Sequence, residues 1–336
     1  MFNKHGRLAT ITGLGIGLPD TVLTNHDLEK MIDTSDEWIR ERTGIRERRI
    51  AGPQQATSDM AAVAAKMAME QAGVEPGEID MIILCTVTPD RFVPMGASNL
   101  QEKINATRAA AFDLNAACSG FLYGMAVAQG LIFSGRYQKI LLVGGETLSR
   151  IINYQDRNTG ILFGDGAGAA VVVPSDDEHG LLAYDLGCDG SGGDLLQVPA
   201  GGSRIPATRE SVEQGLHFVQ MRGNEIFKLA VRAMVRSVDQ SLADAGLTRE
   251  DIDWVVPHQA NQRIIEAASS RLGVGRDKVI INIDRYGNTA AASIPIALYE
   301  TAQRGLLKEG DIVALTGFGA GLTWGSAIIR WGRLGE

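Results

Sequence analysis

Hydrophobic positions along the chain follow two patterns, one typical of helices and one typical of buried strands. Amphipathic segments at 58–72 and 223–245 each lead into a short, continuously apolar run, at 81–86 and at 254–257. Because such a run lacks alternation, it predicts a strand whose two faces are both covered by helices. The chain therefore predicts a layered α/β fold, with two sheets around buried helices. Helices rich in small residues are predicted after these strands, at 119–133 and 290–303.

The two halves of the chain resemble each other weakly at an offset near 172 residues. Segment 72–83 recurs as 245–256, and segment 139–145 returns as 311–317. A fixed offset of this kind indicates a duplicated structural unit and a core with pseudo-two-fold symmetry. Surface connections are predicted at 174–180 and 187–209.

The composition is that of a globular protein, and it narrows the classes of partner. Among 336 residues, 45% are apolar and 21% are charged, and the formal net charge is −8. An acidic chain disfavours a nucleic-acid surface, since phosphate binding requires a basic face. The three cysteines lack framework spacing and suit a reducing compartment, and no Cys/His cluster has the spacing of a zinc site.

One uncharged run, at 114–135, is long enough to span a bilayer, but it contains asparagine, serine, glutamine and several glycines. Its length permits a membrane span or a buried helix, and its polar content favours the buried helix. The first twelve residues are interrupted by polar side chains and lack the apolar core of a signal peptide. We therefore expect a cytoplasmic protein without membrane insertion.

Cys118 is the first candidate for chemistry. It follows a predicted strand at 109–114 and opens a small-residue helix, so its thiol lies where a helix N-terminus favours the thiolate. Ala116, Ala117 and Gly120 leave room for an acyl group beside the sulfur. A buried structural cysteine is the alternative, because free cysteines are among the most buried residues.

His258 is the only one of five histidines that follows a predicted buried strand. Sites of α/β proteins open at the C-terminal ends of such strands, so the ring is a candidate general base or hydrogen-bond donor. A capping or core histidine is the alternative. At an offset of 173 residues, Cys85 takes the place of His258 in the first half, and we interpret Cys85 as core packing.

Two further motifs carry weaker signals. Asn288 follows a glycine and precedes a small-residue helix. Such a Gly-Asn pair either forms a simple turn and cap, or provides a side-chain amide that stabilises an oxyanion. The glycine-rich segment 164–168 precedes a strand instead of leading from a strand into a helix, and segment 13–17 is followed by Pro19. Neither fits a dinucleotide fingerprint, so nucleotide-fold chemistry is disfavoured.

Taken together, the motifs resemble those of the β-ketoacyl-acyl-carrier-protein synthase III family, from Ile11 to the C-terminus. The matching motifs are TSDEWI (34–39), RTGIRER (42–48), NAACSG (115–120), LFGDGAG (162–168), PHQAN (257–261) and YGNT (286–289). The resemblance implies a thiolase-like α/β fold with layers in the order αβαβα. It also implies an N-terminal half at 1–174 that carries the cysteine, and a C-terminal half at 175–336 that carries the histidine and asparagine.

The family uses a Cys-His-Asn trio, which the resemblance places at Cys118, His258 and Asn288. It implies that the Cys118 thiolate takes an acyl group from a short acyl-CoA such as acetyl-CoA. Malonyl-acyl-carrier protein then loses carbon dioxide, and its carbanion attacks the thioester. His258 and Asn288 are implied to donate hydrogen bonds to the enolate oxygen.

The resemblance also implies roles for the remaining site residues. The oxyanion loop is expected at Gly319, Ala320 and Gly321, where Ala320 departs from the family's Gly-Gly-Gly and is expected to narrow the site. The residues implied to line the CoA channel are Thr34, Trp38, Arg42, Arg157, Asn224 and Asn261, with the adenine between Trp38 and Arg157. Those implied for the acyl pocket are Phe92, Leu148 and Phe318, with Phe92 crossing a dimer interface. Those implied to dock the acidic carrier protein are Lys228, Gln259, Arg263 and Arg271, in a patch that is thinner because Ser270 replaces a second lysine. For Trp38 and Arg42 a plain surface helix is the alternative, and single basic residues are usually solvated.

The implied function is the initiating acyl transfer of fatty-acid synthesis, by a homodimer that uses no metal or prosthetic group. A thiolase would carry a second cysteine on the C-terminal glycine loop, and an elongating enzyme a second histidine in place of Asn288; the chain has neither. One alternative is a condensing enzyme of secondary metabolism or of long-chain head-to-head condensation. A non-catalytic acyl-binding homologue is another, which the complete trio disfavours.

Overall fold

The computed structural model describes residues 7–335. The strands are β1 (Ala9–Gly17), β2 (Val22–Thr24), β3 (Glu47–Arg49), β4 (Met81–Cys85), β5 (Ala110–Leu114), β6 (Ile140–Glu146), β7 (Gly166–Pro174), β8 (Gly180–Cys188), β9 (Leu196–Gln197), β10 (Gln220–Met221), β11 (Trp254–Pro257), β12 (Ile312–Gly319) and β13 (Thr323–Arg330). The helices are α1 (Asn25–Leu28), α2 (Asp36–Thr43), α3 (Thr57–Ala72), α4 (Gly96–Lys103), α5 (Gly120–Phe133), α6 (Arg157–Gly160), α7 (Arg209–Glu213), α8 (Gly223–Ala245), α9 (Gln262–Leu272), α10 (Ile283–Tyr286) and α11 (Ser293–Gln303).

Two sheets with the same internal arrangement organise the fold. The first has the strand order β1-β7-β6-β4-β5, and the second has the order β11-β12-β13-β8. In the first sheet β4 is parallel to β5 and β6, while β7 is antiparallel to β6 and β1. In the second, β11 is parallel to β12, while β13 is antiparallel to β12 and β8. An isolated parallel bridge between Val255 and Val279 takes the position that β5 holds beside β4.

The pairing register repeats the offset that the sequence shows. Met81 faces Ile140 in the first sheet, and Trp254 faces Val313 in the second, so both partners move by 173 positions. The predicted duplication is therefore confirmed in the backbone, but the counterpart of segment 139–145 is 312–318, one position later than the sequence alignment placed it.

The helices form three layers around the two sheets. Helix α5 contacts strands of both sheets, and α11 also packs between them, against β1, β7 and β11. Helices α3 and α4 cover the outer side of the first sheet, and α8 and α9 cover that of the second. The predicted order αβαβα is thus confirmed.

The uncharged run at 114–135 consists of the end of β5, a tight turn and α5. Phe121, Leu122 and Met125 of this helix are fully buried between the sheets. Among the described residues, no helix combines the length and apolarity needed to cross a bilayer. The interpretation as a buried helix is confirmed.

The prediction of a plain surface connection at 187–209 is wrong in its first part. Strand β8 continues to Cys188, a 3₁₀ helix spans Gly190–Leu195, and β9 pairs with β10. This ribbon brings Leu196 and Met221 into one apolar cluster with Cys118. The segment is so rich in glycine that its few apolar side chains gave no periodic signal.

Candidate active site

The chain turns sharply at Cys118, between β5 and α5. Ala117 has a φ of 48°, in the left-handed region that few residues other than glycine adopt, and a 3₁₀ turn at Ala117–Ser119 leads into α5. The turn leaves Cys118 8% exposed at the wall of a cavity of about 770 Å³. His258 and Asn288, from the second half of the chain, line the same cavity. The structure therefore brings the three predicted residues together.

The Cys118 thiol lies in a poorly solvated position. Burial raises its pKa to about 12, and the negative charge of the buried Glu146 carboxylate adds to this rise. Burial therefore opposes the effect of the helix N-terminus, which we expected to favour the thiolate. The thiol is protonated at neutral pH, and its proton must leave when the sulfur attacks.

The His258 ring is held on one side and free on the other. Its Nδ1 lies 2.6 Å from Ser293 Oγ, at the start of α11, and its backbone N–H donates to the Thr316 carbonyl at 2.8 Å. Its Nε2 is buried and has no hydrogen-bond partner among the described residues. Burial lowers the pKa of His258 to about 3, so the ring is neutral.

Ser293 is a site residue that sequence reasoning missed. The backbone N–H of Gln259 points at Ser293 Oγ from 3.4 Å, and a backbone N–H can only donate. The hydroxyl hydrogen is then available to Nδ1, which favours the His258 tautomer with its hydrogen on Nε2. The only sequence signal was one hydroxyl in a run of small residues, 35 positions after His258.

The Asn288 side chain is oriented by the turn that follows it. Its Oδ1 accepts a hydrogen bond from the Ala290 N–H at 2.9 Å, and Ala290 has a φ of 42°. The atom facing a backbone N–H must be the oxygen, so Nδ2 is turned away from the turn. Nδ2 has no hydrogen-bond partner in the part of the chain that the structure describes. The cavity therefore receives a second potential donor.

The C-terminal glycine loop packs directly on the turn at Ala117–Ser119, which we call the elbow. A Cβ added to Gly319 would lie 2.7 Å from the Cys118 nitrogen, so only glycine allows this approach. Thr323 Oγ1 donates to the Ala116 carbonyl at 2.9 Å and ties the loop to the turn. Among the described residues other than glycine, positive φ occurs at Asn105, Ala117 and Ala290 and not at Ala320. Alanine is therefore accommodated in the loop without backbone strain.

Four of the residues predicted for the CoA channel line the cavity, namely Trp38, Arg42, Asn224 and Asn261. Thr34 and Arg157 do not line it. The Arg157 guanidinium lies 4.5 Å from the centre of the Trp38 ring, in direct cation–π contact. An adenine between the two would require a separation of about 7 Å, twice the contact distance. The predicted pair is present, but it is closed in this structure.

The residues predicted for the acyl pocket do not all lie together. Phe318 lines the cavity, and Leu148 packs in the same apolar cluster as Cys118. Phe92 lies elsewhere, on a loop where it is 81% exposed, and it lines a different depression.

The four residues predicted to dock the carrier protein do not lie together either. Lys228 and Arg263 line the cavity that holds Cys118, whereas Arg271 lies on a shallow groove beside it. Gln259 is 1% exposed, and its side-chain amide donates to the Pro257 and Ile280 carbonyls. Its assignment to the docking surface is wrong, because a buried side chain bonded to the backbone cannot contact a docked protein. In the described part of the chain, no group of three or more His, Cys, Asp or Glu side chains could hold a metal ion.

Comparison with known proteins gives consistent matches along the chain. Two family models match it, 3-oxoacyl-[acyl-carrier-protein (ACP)] synthase III over residues 112–190 and the C-terminal model of the same family over residues 242–331. A protein of Caldanaerobacter subterraneus named beta-ketoacyl-[acyl-carrier-protein] synthase III is 55% identical, over 97% of this chain and 98% of its own.

Two solved structures show the same fold. The crystal structure of 3-oxoacyl-[acyl-carrier-protein] synthase III from Aquifex aeolicus has a TM-score of 0.89 and 44% identity, over 96% of this chain and 100% of its own. The priming β-ketosynthase of the R1128 polyketide pathway has a TM-score of 0.89 and 35% identity, over 98% of both chains.

Proposed function

Because the chain belongs to the 3-oxoacyl-[acyl-carrier-protein] synthase III family, we propose that Cys118, His258 and Asn288 carry out its decarboxylating condensation. The protein is an acyltransferase that initiates fatty-acid synthesis. The roles proposed for its residues rest on the geometry of the cavity. The alternative in secondary metabolism is disfavoured, since identity to the polyketide priming enzyme is 35% against 55% for the family relative.

In the first stage, the Cys118 sulfur attacks the carbonyl carbon of a short acyl-CoA. A carbon–sulfur bond forms at Cys118, the bond to CoA breaks, and the thiol proton leaves with CoA as its free thiol. The approach of Gly319 to the Cys118 nitrogen supports an oxyanion site built from backbone N–H groups of the elbow and of loop 319–321.

In the second stage, the malonyl group of malonyl-acyl-carrier protein loses carbon dioxide. The electrons of the broken carbon–carbon bond form an enolate, whose oxygen accepts hydrogen bonds from Nε2–H of His258 and Nδ2–H of Asn288. The enolate carbon then attacks the Cys118 thioester and displaces the thiolate, which takes a proton from water. The products are a 3-oxoacyl-acyl-carrier protein and carbon dioxide.

The neutral, buried His258 ring carries this proposal. Its Nδ1 is occupied by Ser293, and its Nε2 is buried without a partner among the described residues, so the ring is prepared to donate to a substrate oxygen. A ring with a pKa of about 3 stabilises an enolate by donating a hydrogen bond and is a weak general base.

The partners follow from the same chemistry. Arg42 and Trp38, which line the cavity, suit the phosphates and adenine of CoA. The steps above use only side-chain and backbone groups of the protein and the substrates, with no metal or prosthetic group. Phe92 and its neighbour Val93, which sequence reasoning missed, are 81% and 85% exposed, which supports a homodimer formed through this loop. Free cysteines and CoA substrates support a location in the cytoplasm.

Intact mass after incubation with acyl-CoAs of increasing chain length tests the proposal. We expect one adduct with two-carbon or short branched primers, its absence in Cys118→Ser, and its persistence in Cys188→Ser, which removes the exposed cysteine. His258→Ala should still form the adduct but lose malonyl decarboxylation. Failure to acylate together with normal decarboxylation in His258→Ala would reverse the assigned roles, and normal turnover by Cys118→Ser would exclude the nucleophile.

A further inference from the structure

Gln259 is a buried side chain whose hydrogen-bonding capacity is completely used. It lies just after β11 and is 1% exposed. Its Nε2 donates to the carbonyls of Pro257 at 2.8 Å and Ile280 at 3.1 Å. Its Oε1 accepts from the N–H groups of Asn282 at 3.0 Å and Ile283 at 3.2 Å. A glutamine amide has two donor hydrogens and one oxygen with two lone pairs, so all four positions are filled.

The four bonds join the two segments that carry the proposed enolate donors. Pro257 ends β11 and immediately precedes His258. The other three bonds reach segment 280–283, whose last residue begins α10. This short helix is followed at once by Gly287 and Asn288. A single side chain therefore links the backbone beside one donor to the element that leads to the other.

The two donors are otherwise held by different parts of the fold. His258 is held by β12 through its backbone N–H and by α11 through its ring. Asn288 is held by the first half of the chain, since its N–H donates to the Leu162 carbonyl at 2.8 Å and its carbonyl accepts from the Gly164 N–H at 3.0 Å. The bonds of Gln259 connect these two sets of contacts, so this side chain controls the spacing between them.

We propose that Gln259 is a positioning residue that sets the distance between Nε2 of His258 and Nδ2 of Asn288. Both donors must reach one enolate oxygen, and a displacement of about 1 Å in such a site can lower a rate by about 100-fold. The proposal rests on the proposed function, since the spacing matters only if the two side chains bind one enolate. Acyl transfer to Cys118 does not use this pair, so Gln259 should act on the second stage alone.

Gln259→Met removes all four hydrogen bonds and keeps a side chain of similar length. The buried N–H and carbonyl groups that it leaves unpaired must move to find new partners. We expect decarboxylation of malonyl-acyl-carrier protein to fall by about tenfold or more. Acylation at Cys118, followed by intact mass, should stay within about threefold of wild type because it does not need both donors.

Gln129→Met is the matched control, because Gln129 is also a buried side chain that joins two segments. It is 3% exposed, its Oε1 accepts from the Ala9 N–H at 2.7 Å, and its Nε2 donates to the Arg7 carbonyl at 3.1 Å. We expect Gln129→Met to lower the free energy of unfolding and to leave the ratio of the two rates unchanged.

Gln259→Glu tests the same bonds in a variant that keeps three of them. A buried carboxylic acid that faces two carbonyls stays protonated, so it accepts both N–H bonds and donates one of its own. Decarboxylation should fall by about twofold or more, yet less than in Gln259→Met, with normal acylation. If Gln259→Met does not fold, this variant decides, and wild-type rates of both stages in Gln259→Glu would overturn the proposal.

A double-mutant cycle separates positioning from a general loss of structure. In the Asn288→Ala background only one donor remains, so no spacing is left to disturb. Gln259→Met should then lower the remaining decarboxylation by no more than about threefold. Fully additive effects of the two substitutions, or equal losses of acylation and decarboxylation in Gln259→Met, would overturn the proposal.

NMR of the labelled His258 ring and Asn288 side-chain amide makes the test independent of turnover. At least one of these signals should shift in Gln259→Met, and neither should shift in Gln129→Met. Unchanged signals of both side chains in Gln259→Met would contradict the positioning role. A wild-type protein that fails to decarboxylate malonyl-acyl-carrier protein would contradict the proposed function instead, whatever the spectra show.

Discussion

Each half of the molecule contains the same sharp turn before a buried helix, α5 or α11, and we call this turn and its surroundings a corner. One corner opens to a cavity, whereas the other is closed by packed side chains. Cys118 and Ala291 hold equivalent positions, each preceded by an alanine with positive φ, 48° at Ala117 and 42° at Ala290. Cys118 lines the cavity, whereas Ala291 is 1% exposed. The strained turn is therefore a property of the duplicated unit and does not by itself mark a catalytic residue.

The two corners differ in the residue at the end of the neighbouring strand. Strand β12 ends at Gly319, which has no side chain, and β6 ends at Glu146, 173 positions earlier. The Glu146 carboxylate is fully buried and accepts hydrogen bonds from the N–H groups of Val87 and Thr88. Ala260, the counterpart of Val87, instead lines the open cavity. A side chain thus fills the first corner at the place where glycine leaves the second open.

The residues behind the two corners differ in the same way. Cys85 and His258 are equivalent, as are Gly120 and Ser293. A Cβ on Gly120 would lie 3.1 Å from the Cys85 Cβ, so glycine allows close packing there, whereas Ser293 uses its hydroxyl to hold the ring. Small side-chain changes on the same backbone therefore decide between packing and chemistry.

Gly319→Ala is expected to have the largest effect on activity. Its Cβ would meet the Cys118 nitrogen at 2.7 Å and force the loop away from the elbow. We expect a loss in kcat of roughly 100-fold, the typical effect of removing an oxyanion donor. Steady-state kinetics with the folded variant measures this, and Gly190→Ala, where a Cβ meets nothing within 4 Å, is the control. Near-normal activity in Gly319→Ala would show that the loop does not hold the oxyanion.

Ser293→Ala should lower decarboxylation by roughly 10-fold, within the range of general acid–base contributions. The hydroxyl that fixes the His258 tautomer is lost, while the acyl adduct on Cys118 should still form. Nitrogen NMR of the labelled ring should show Nε2–H in the wild type and a mixture of tautomers in the variant. Ser293→Thr, which keeps a hydroxyl, should restore the wild-type spectrum, and an unchanged tautomer in Ser293→Ala would exclude the positioning role.

The buried Glu146 makes stability depend on pH. Burial raises its pKa to about 7, so the folded chain keeps a proton that the unfolded chain has lost. This contribution to the free energy of unfolding is complete below the ordinary pKa of 4.5, which holds in the unfolded chain, and it is lost as the pH rises from there through about 7. The loss corresponds to about 3 kcal/mol. His258 acts in the opposite direction between about pH 3 and 6.5, but it is unchanged in the variant and cancels in the difference.

Urea denaturation of wild type and Glu146→Gln at pH 5 and pH 8 measures the difference in the free energy of unfolding. We expect the wild type to lose stability relative to the variant between these values. The exposed Glu70→Gln serves as the control. A pH-independent difference between wild type and Glu146→Gln would show that the carboxyl titrates normally in the folded protein.

Ala291→Cys should have the smallest effect on activity, although it places a thiol at the counterpart of Cys118. Ala291 is packed under Gly144, where a Cβ would lie 2.2 Å from the Ala291 carbonyl oxygen. We expect a loss of stability of about 1–3 kcal/mol from overpacking and no second acyl adduct by intact mass. In the Cys118→Ser background, an acyl adduct on the cysteine introduced by Ala291→Cys would show that this corner is open to substrate.

Local patterns in the sequence predicted the layered fold and the duplication and made Cys118, His258 and Asn288 separate candidates, and the family resemblance joined these three residues into a trio. Continuous apolar runs report buried strands wherever they occur, and a repeated offset fixes which strands correspond. The motifs keep their spacing because each belongs to one turn at the end of one strand. These features depend on neighbours within a few residues, so they can be predicted from the sequence alone.

Only the tertiary structure decided which of those groups are solvated and what they contact. It placed Gln259 in the interior, joined Ser293 to His258, raised the pKa of Cys118 by burial and set Arg232 beside Arg271. Each of these properties depends on residues from distant segments that fold against one another. Exposure and hydrogen-bond partners are set by long-range packing, which short sequence patterns do not describe.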